Sequence, residues 1–228
     1  MSQHIHEPII EIHPEDAARF HLTDGALAKI NSRWWDSVVG RATVTDRQRK
    51  GSLFIPIHWN DQFANYSRVD AAVNPATDPV SGQPASKHTP VMIELVKAAW
   101  SGFYLSRDKH PLPPCRYWSR QYGYGYWCYE IAGDELPEDS SAWAKSFMTD
   151  DPSEHEWLEY CDVTIGRYRA ARIQDGKLIS CLFISPEHKQ PPRKTGCRLC
   201  SVNRHCRKYS VPACWQVNPQ GMVQIPAP

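Results

Sequence analysis

With 228 residues, 41% of them hydrophobic, the chain has enough apolar material for one large core or two small ones. Its 26 Lys+Arg against 25 Asp+Glu leave a net charge of +1, which removes any electrostatic argument for DNA or another polyanion as its main partner. No run approaches the ~18 consecutive apolar residues that a membrane helix needs. The first residues, Met1 to His6, lack the basic and then apolar segments of a signal peptide, so the sequence predicts a cytoplasmic chain with neither nucleic acid nor membrane as partner.

Taken in chain order, Pro8 to Ile12 alternates around Ile10 and Ile12 and predicts a short strand. His13-Pro14-Glu15-Asp16 follows, with proline and two carboxylates suited to a helix start; a short helix through Ala17, Ala18 and Phe20 should end at Asp24-Gly25. Ala26 to Asn31, Ser37 to Thr45 and Ser52 to His58 read as strands, with Asp46 to Gly51 a charged turn. Strands at such short spacing suggest a small β-barrel. Asn60 to His88 is a long polar loop containing Asn74-Pro75, Asp78-Pro79 and Gln83-Pro84; a loop of that length is usually functional or disordered. Val91 to Val96 then returns as the strand that closes the barrel.

A second region starts near Trp100. It holds an aromatic run from Tyr117 to Tyr129 and a helix over Ser140 to Phe147. Its hairpin is signalled by β-rich runs at Tyr168–Ile173 and Lys177–Ile184 around Gln174-Asp175-Gly176. Cys115, Cys128, Cys161 and Cys181 stand far apart and read as buried small hydrophobes. From Pro191 the apolar period stops, and Arg, Lys, Cys and Pro increase.

Three stretches in order carry a resemblance. Ile12-His13-Pro14-Glu15-Asp16-Ala17-Ala18 with Asp24-Gly25, then Gly51-Ser52-Leu53-Phe54-Ile55-Pro56-Ile57-His58-Trp59, then the Asn74-Pro75, Asp78-Pro79, Gln83-Pro84 and Lys87 series resemble the dinucleotide-binding region of bacterial molybdenum oxidoreductases. The His-Trp and Asn-Pro/Asp-Pro/Lys pattern resembles the nitrate reductase and formate dehydrogenase branch. The aromatic middle and the hairpin look like the extension of assimilatory nitrate reductases.

This resemblance implies a mainly β or α+β chain. Residues 1–98 would form a double-psi β-barrel that binds molybdopterin dinucleotide, 99–192 a small α+β extension with a hairpin, and 193–228 an irregular Cys/Pro-rich tail. The cofactor implied is molybdopterin guanine dinucleotide in its molybdenum-bound, paired form, shared with other domains of a nitrate reductase. Iron–sulfur clusters and the molybdenum ligand would belong to those other domains, which leaves no catalytic or metal-binding residue here. The electron donor is not legible.

Candidate cofactor contacts are His58, Trp59, Asn60 and Gln62 at a strand end, with Asn74, Asp78 and Lys87 on the loop. Ring N–H and amide groups suit a pterin or guanine edge, an asparagine can donate and accept at once, and a lysine supplies a point charge for a phosphate. Taken singly, each has a plainer reading: His58-Trp59 as an aromatic pair packed on the core, Asn-Pro and Asp-Pro as turns, Lys87 as a solvated side chain. An exposed polar-aromatic surface is expected around Trp59.

The tail stays open to three readings. Cys197-x2-Cys200, with Cys206, Cys214 and His205, offers half of a zinc or iron–sulfur site. Read two bases out of frame, the codons from Lys194 permit a stop-free, amphipathic linker, which would make the cysteines accidental. An irregular tail without special history is the third. The rival function is therefore a stand-alone binding module with a Cys-rich, zinc-binding tail.

Overall fold

The computed structural model describes residues 7–34, 37–84, 88–111, 115–123, 125–149 and 156–186, with two further short strands near the C-terminus. Lys87 and the cysteine-bearing tail lie outside the described residues. The chain divides into two compact units, 1–98 and 99–228.

In the first unit β1 (Ile9–Ile12) leads into α1 (Pro14–Arg19). The helix starts where the sequence places it, with Pro14 in the first turn. His13 caps it, its Nδ1 accepting the Glu15 N–H at 3.1 Å. It ends earlier than expected, because His21 takes a left-handed φ of 56° and the Leu22 N–H turns back to the Ala17 carbonyl at 2.8 Å. Asp24-Gly25 acts elsewhere: Asp24 Oδ1 accepts the Val44 N–H, and Gly25 donates to the Ala42 carbonyl.

Strands β2 (Leu27–Ser32), β3 (Val38–Val44), β4 (Leu53–Phe54) and β5 (Val91–Leu95) complete a curled, mixed sheet in the order β4-β1-β3-β2-β5. The chain is mainly β and this sheet forms a half-barrel. Its one parallel pair, β1 with β3, is bridged by the α1–β2 crossover. Ile10, Ile12, Ala28, Ile30, Val38, Ala42 and Ile93 fill the core beneath Ala17 of the helix. The strand expected over 52–58 shrinks to two residues, since Pro56 has no N–H to donate and Ile57-His58 form a turn. The long polar stretch carries a short helix that the sequence did not signal, α2 (Val69–Ala72), whose Val69 and Ala72 reach the core.

The second unit is an antiparallel sheet of six strands: β6 (Trp100–Ser106), β7 (Tyr117–Gly123), β8 (Tyr126–Gly133), β9 (Glu156–Asp162), β10 (Arg167–Gln174) and β11 (Lys177–Ser185). Their order is β7-β8-β6-β11-β10-β9. The predicted hairpin forms between β10 and β11, with Asp175 and Gly176 at φ 50° and 70°, the two left-handed positions of a type I′ turn. Helix α3 (Ser140–Met148) is capped by Asp139, whose carboxylate accepts the Ala142 N–H at 2.9 Å. It covers one face of the sheet, where Trp100, Tyr104, Tyr129, Phe147, Tyr168 and Leu182 pack; Phe103, Phe183, Leu105 and Cys181 pack on the other. Strand β9 was not foreseen.

The cysteines divide. Cys128 and Cys181 are buried as expected, Cys115 is half-buried, and Cys161, on the edge strand β9, is exposed. Burial pushes the Cys115 thiol up to about 12. Two short strands, β12 (Gln216–Val217) and β13 (Val223–Gln224), pair with each other.

Candidate cofactor site

His58 and Trp59 sit four and five residues beyond the end of β4, on a turn instead of at a strand terminus. Their rings lie 5.5 Å apart at 30°. His58 is exposed, while Trp59 is only 7% exposed, so the polar-aromatic surface expected around it excludes the indole itself. Open on the same stretch are the apolar or aromatic Phe54, Ile57, Phe63 and Tyr66 and the polar His58, Asn60, Asp61 and Gln62. A tryptophan buries more area than any other side chain, and the turn folds over it.

Asn60 organises that turn. Its side-chain oxygen accepts the Gln62 N–H at 2.9 Å, and its carbonyl accepts from Phe63 and Ala64. Gln62 is exposed beside it. The turn is tied to the sheet by the Val39 N–H, which donates to the Tyr66 carbonyl at 2.8 Å, and by the buried Ser67, which donates to the Ala64 carbonyl.

Asn74 and Asp78 lie on the following loop. Asn74 Oδ1 accepts the Ala76 N–H at 3.0 Å, and its backbone N–H donates to Thr89 Oγ1 at 3.2 Å, which draws the two ends of the loop together. Asp78 Oδ1 accepts three donors of its own turn: the Ser81 N–H, the Ser81 hydroxyl and the Val80 N–H. The Ser81 backbone, then its hydroxyl, then the Val80 backbone hold the Asp78 carboxyl below its ordinary value. A Thr77–Pro84 bridge closes this turn, and an open depression of about 620 Å³ lies along Ala76, Thr77, Asp78, Ser81, Gln83 and Pro84. Thr89, which joins the loop's ends, carried no signal in the sequence beyond its place before a proline.

Among these residues one atom points to a ligand. Trp59 Nε1 is buried and has no hydrogen-bond partner. A buried indole N–H left unpaired costs on the order of 1–3 kcal/mol, so it marks a place where an acceptor belongs. Pterin and guanine edges carry ring nitrogens and carbonyl oxygens of that kind. Asn74, whose oxygen accepts from Ala76, keeps an amide NH2 group that is chemically a donor. The residues fit the heterocyclic part of a pterin dinucleotide.

Residues 1–90 match the family described as Molydopterin dinucleotide binding domain. A nitrate reductase of Klebsiella oxytoca is 44% identical over 139 residues, 61% of this chain and 16% of that protein. The assimilatory nitrate reductase catalytic subunit of Bacillus subtilis is 34% identical over 87 residues, 38% of this chain and 12% of that one. An F420-dependent formate dehydrogenase subunit of Methanococcus maripaludis is 31% identical over 96 residues, 42% and 13% respectively. The chain thus spans less than a fifth of the length of these relatives.

Residues 1–90 thus resemble the pterin-dinucleotide domain of the molybdoenzyme class. Specifically, they match a molybdopterin dinucleotide binding domain shared by nitrate reductases and formate dehydrogenases, a match that supports molybdopterin guanine dinucleotide as the cofactor.

Proposed function

We propose that this chain is the cofactor-anchoring part of an assimilatory nitrate reductase working in the cytoplasm, joined in use to the domains that hold the metal ligand and the iron–sulfur cluster. The observation that carries the choice of nitrate reductase is the reach of the likeness. The Klebsiella match extends over 139 residues, more than the first unit contains, so it runs into the second unit. The formate dehydrogenase match, at 96 residues, is no longer than the first unit. No helix among the described residues is long and apolar enough to cross a membrane, which fits this setting.

In this reading residues 1–98 take the dinucleotide, 99–192 form the nitrate reductase extension, and the tail from 193 has no part in the site. When bound, the molybdenum cofactor supplies the two-electron oxygen transfer that turns nitrate into nitrite. The chain's own residues bind and orient. Trp59 donates its indole N–H to an acceptor on the heterocycle, and His58, Asn60 and Gln62 border that edge from the same turn. Asn74 donates its amide from the loop. Asp78 keeps the loop's shape by holding Val80 and Ser81, and Lys87 offers its ammonium to the diphosphate.

The test is uptake. The chain mixed with purified molybdopterin guanine dinucleotide and then desalted should retain pterin fluorescence, at a level that falls about tenfold when the Trp59 donor is removed by Trp59→Phe. Retention no greater than that of an unrelated protein would sink the reading.

A further inference from the structure

The second unit holds a row of buried polar groups that the cofactor reading does not use. In antiparallel strands, residues directly opposite one another project to the same face. Ser180 on β11 stands opposite Ser106 on β6 and opposite Arg172 on β10, and Tyr104 lies two residues before Ser106 on the same strand. These four side chains therefore share one face on three neighbouring strands.

All four are buried: Tyr104 at 0%, Ser106 at 1%, Ser180 at 2% and Arg172 at 6% exposure. Three of their atoms, Tyr104 Oη, Ser180 Oγ and Arg172 Nε, have no hydrogen-bond partner. The hydroxyls of Ser106 and Ser180 lie beside the Tyr104 phenol, yet neither meets it with hydrogen-bond geometry. Burial holds that phenol protonated, so it is a donor. Ser106 Oγ already accepts the Asp108 N–H at 3.3 Å, which leaves its hydrogen to give. The register of β10 against β11 shifts at Arg172/Ile173, a bulge of the kind that re-aims a side chain.

The charge in this row is poorly compensated. The carboxylate paired with Arg172 is that of Asp108, 3.5 Å from Nη2 with its side chain 70% exposed. A buried guanidinium needs a counter-charge as well as hydrogen-bond acceptors. Buried water could satisfy the hydroxyls, but it brings no charge. We propose that Arg172, Tyr104, Ser180 and Ser106 form a binding site for a small monovalent inorganic anion, enclosed in the sheet of the second unit. A planar or spherical anion can accept from Nε and from several hydroxyls together, whereas a large organic anion has no access to so buried a place.

Bromide is a suitable probe, because it is small and does not require a particular geometry. The whole chain would be melted in rising sodium bromide at constant ionic strength, with sodium gluconate as the bulky balance, while tryptophan fluorescence is followed. A saturating rise in Tm is expected, as for any ligand that binds only the folded state. Tyr104→Phe keeps the ring and Ser180→Ala keeps the small volume, so both should fold; each should weaken the apparent bromide affinity about tenfold. No saturating rise over gluconate overturns the proposal. A saturating rise of equal affinity in the wild type and both variants overturns it too, since the ion then sits elsewhere.

Discussion

Asp16 reaches across the first unit to Gly51: its Oδ2 accepts the Gly51 backbone N–H at 2.7 Å, although 35 residues separate them. Beside this bond Glu15 pairs with Lys50. The carboxylates that favour the start of α1 therefore also clamp the charged turn ahead of β4, and through it the chain's path towards His58 and Trp59. Asp16→Ala should cost about 1 kcal/mol, a charge-assisted bond discounted for partial exposure. Gly51 has a φ of 72°, so Gly51→Ala should cost a further ~1 kcal/mol through backbone strain alone, with open space around the added carbon. Urea unfolding measures both; a neutral Asp16→Ala would mean that the Glu15–Lys50 pair suffices to hold the turn.

How far such relationships can be read from sequence depends on their range. The Asp175-Gly176 hairpin was legible because its turn chemistry is local, and so were Pro14 at a helix start and the alternation of Ile10 and Ile12 in β1. The early stop of β4 was only half legible. Pro56 was visible, but its missing donor matters only once β1 is known to be the neighbour. The burial of Trp59 was one of two open readings, packed on the core or part of an exposed surface, and the choice depends on the turn at 60–66 being tied to β3 through Tyr66 and Val39. Asp78 stood in plain sight as an acceptor; that its Oδ1 is taken up by Ser81 and Val80 follows from a turn conformation the sequence only permits. Strand β9 escaped because its seven residues show no clean alternation of buried and exposed positions.

The unpaired indole nitrogen makes Trp59 behave unlike an ordinary core residue. Trp59→Phe removes a donor that has no partner, so the loss of ring area and the relief of an unsatisfied group oppose each other. Stability without cofactor should change by less than about 1 kcal/mol, while pterin retention falls. A loss of several kcal/mol in chemical denaturation would show that packing alone explains this residue.

The loop at 77–84 should loosen in acid. In the folded chain the Asp78 carboxyl lies below its ordinary 3.8, held there by Ser81 and Val80. A depressed carboxylate contributes its full stabilisation above the unfolded value and loses it as pH falls through the folded one, so the change belongs below about pH 4. The amide resonances of Val80 and Ser81 should titrate together with a midpoint under 3.8, and in Asp78→Asn that titration should vanish. Amides that move at the ordinary aspartate value would contradict the bonded geometry.

Gly102 tests the second unit. A carbon added there would run into the carbonyl oxygen of Phe183 on the neighbouring strand, and would lie 3.1 Å from that residue's carbonyl carbon. Backbone cannot swing away as a flexible side chain can, so Gly102→Ala should cost about 3 kcal/mol. The first unit has its own core, and the loss should appear in the tryptophans of the second, such as Trp100 and Trp143, which touch edge to face. Native tryptophan fluorescence in the variant at ambient temperature, with its melting midpoint unchanged, would disprove the clash.

Arg41 gives the sharpest energetic test in the first unit, because it carries a buried charge at the first pair of the parallel β1–β3 ladder, opposite Ile9. Its Nε donates to Glu7 Oε2 at 3.0 Å and its Nη1 to the Gly25 carbonyl at 3.1 Å, and both charged side chains are largely out of water. Removing one member of a buried pair leaves the other charge uncompensated, whereas removing both leaves only a packing problem. Glu7→Ala should therefore cost about 2–3 kcal/mol, and the double change Glu7→Leu with Arg41→Met should cost less than that single one. Urea denaturation of the two variants against the unchanged chain decides the matter. If Glu7→Ala costs under ~1 kcal/mol, the Gly25 carbonyl and nearby solvent already satisfy the guanidinium, and the pair adds specificity to the β1–β3 register without adding stability.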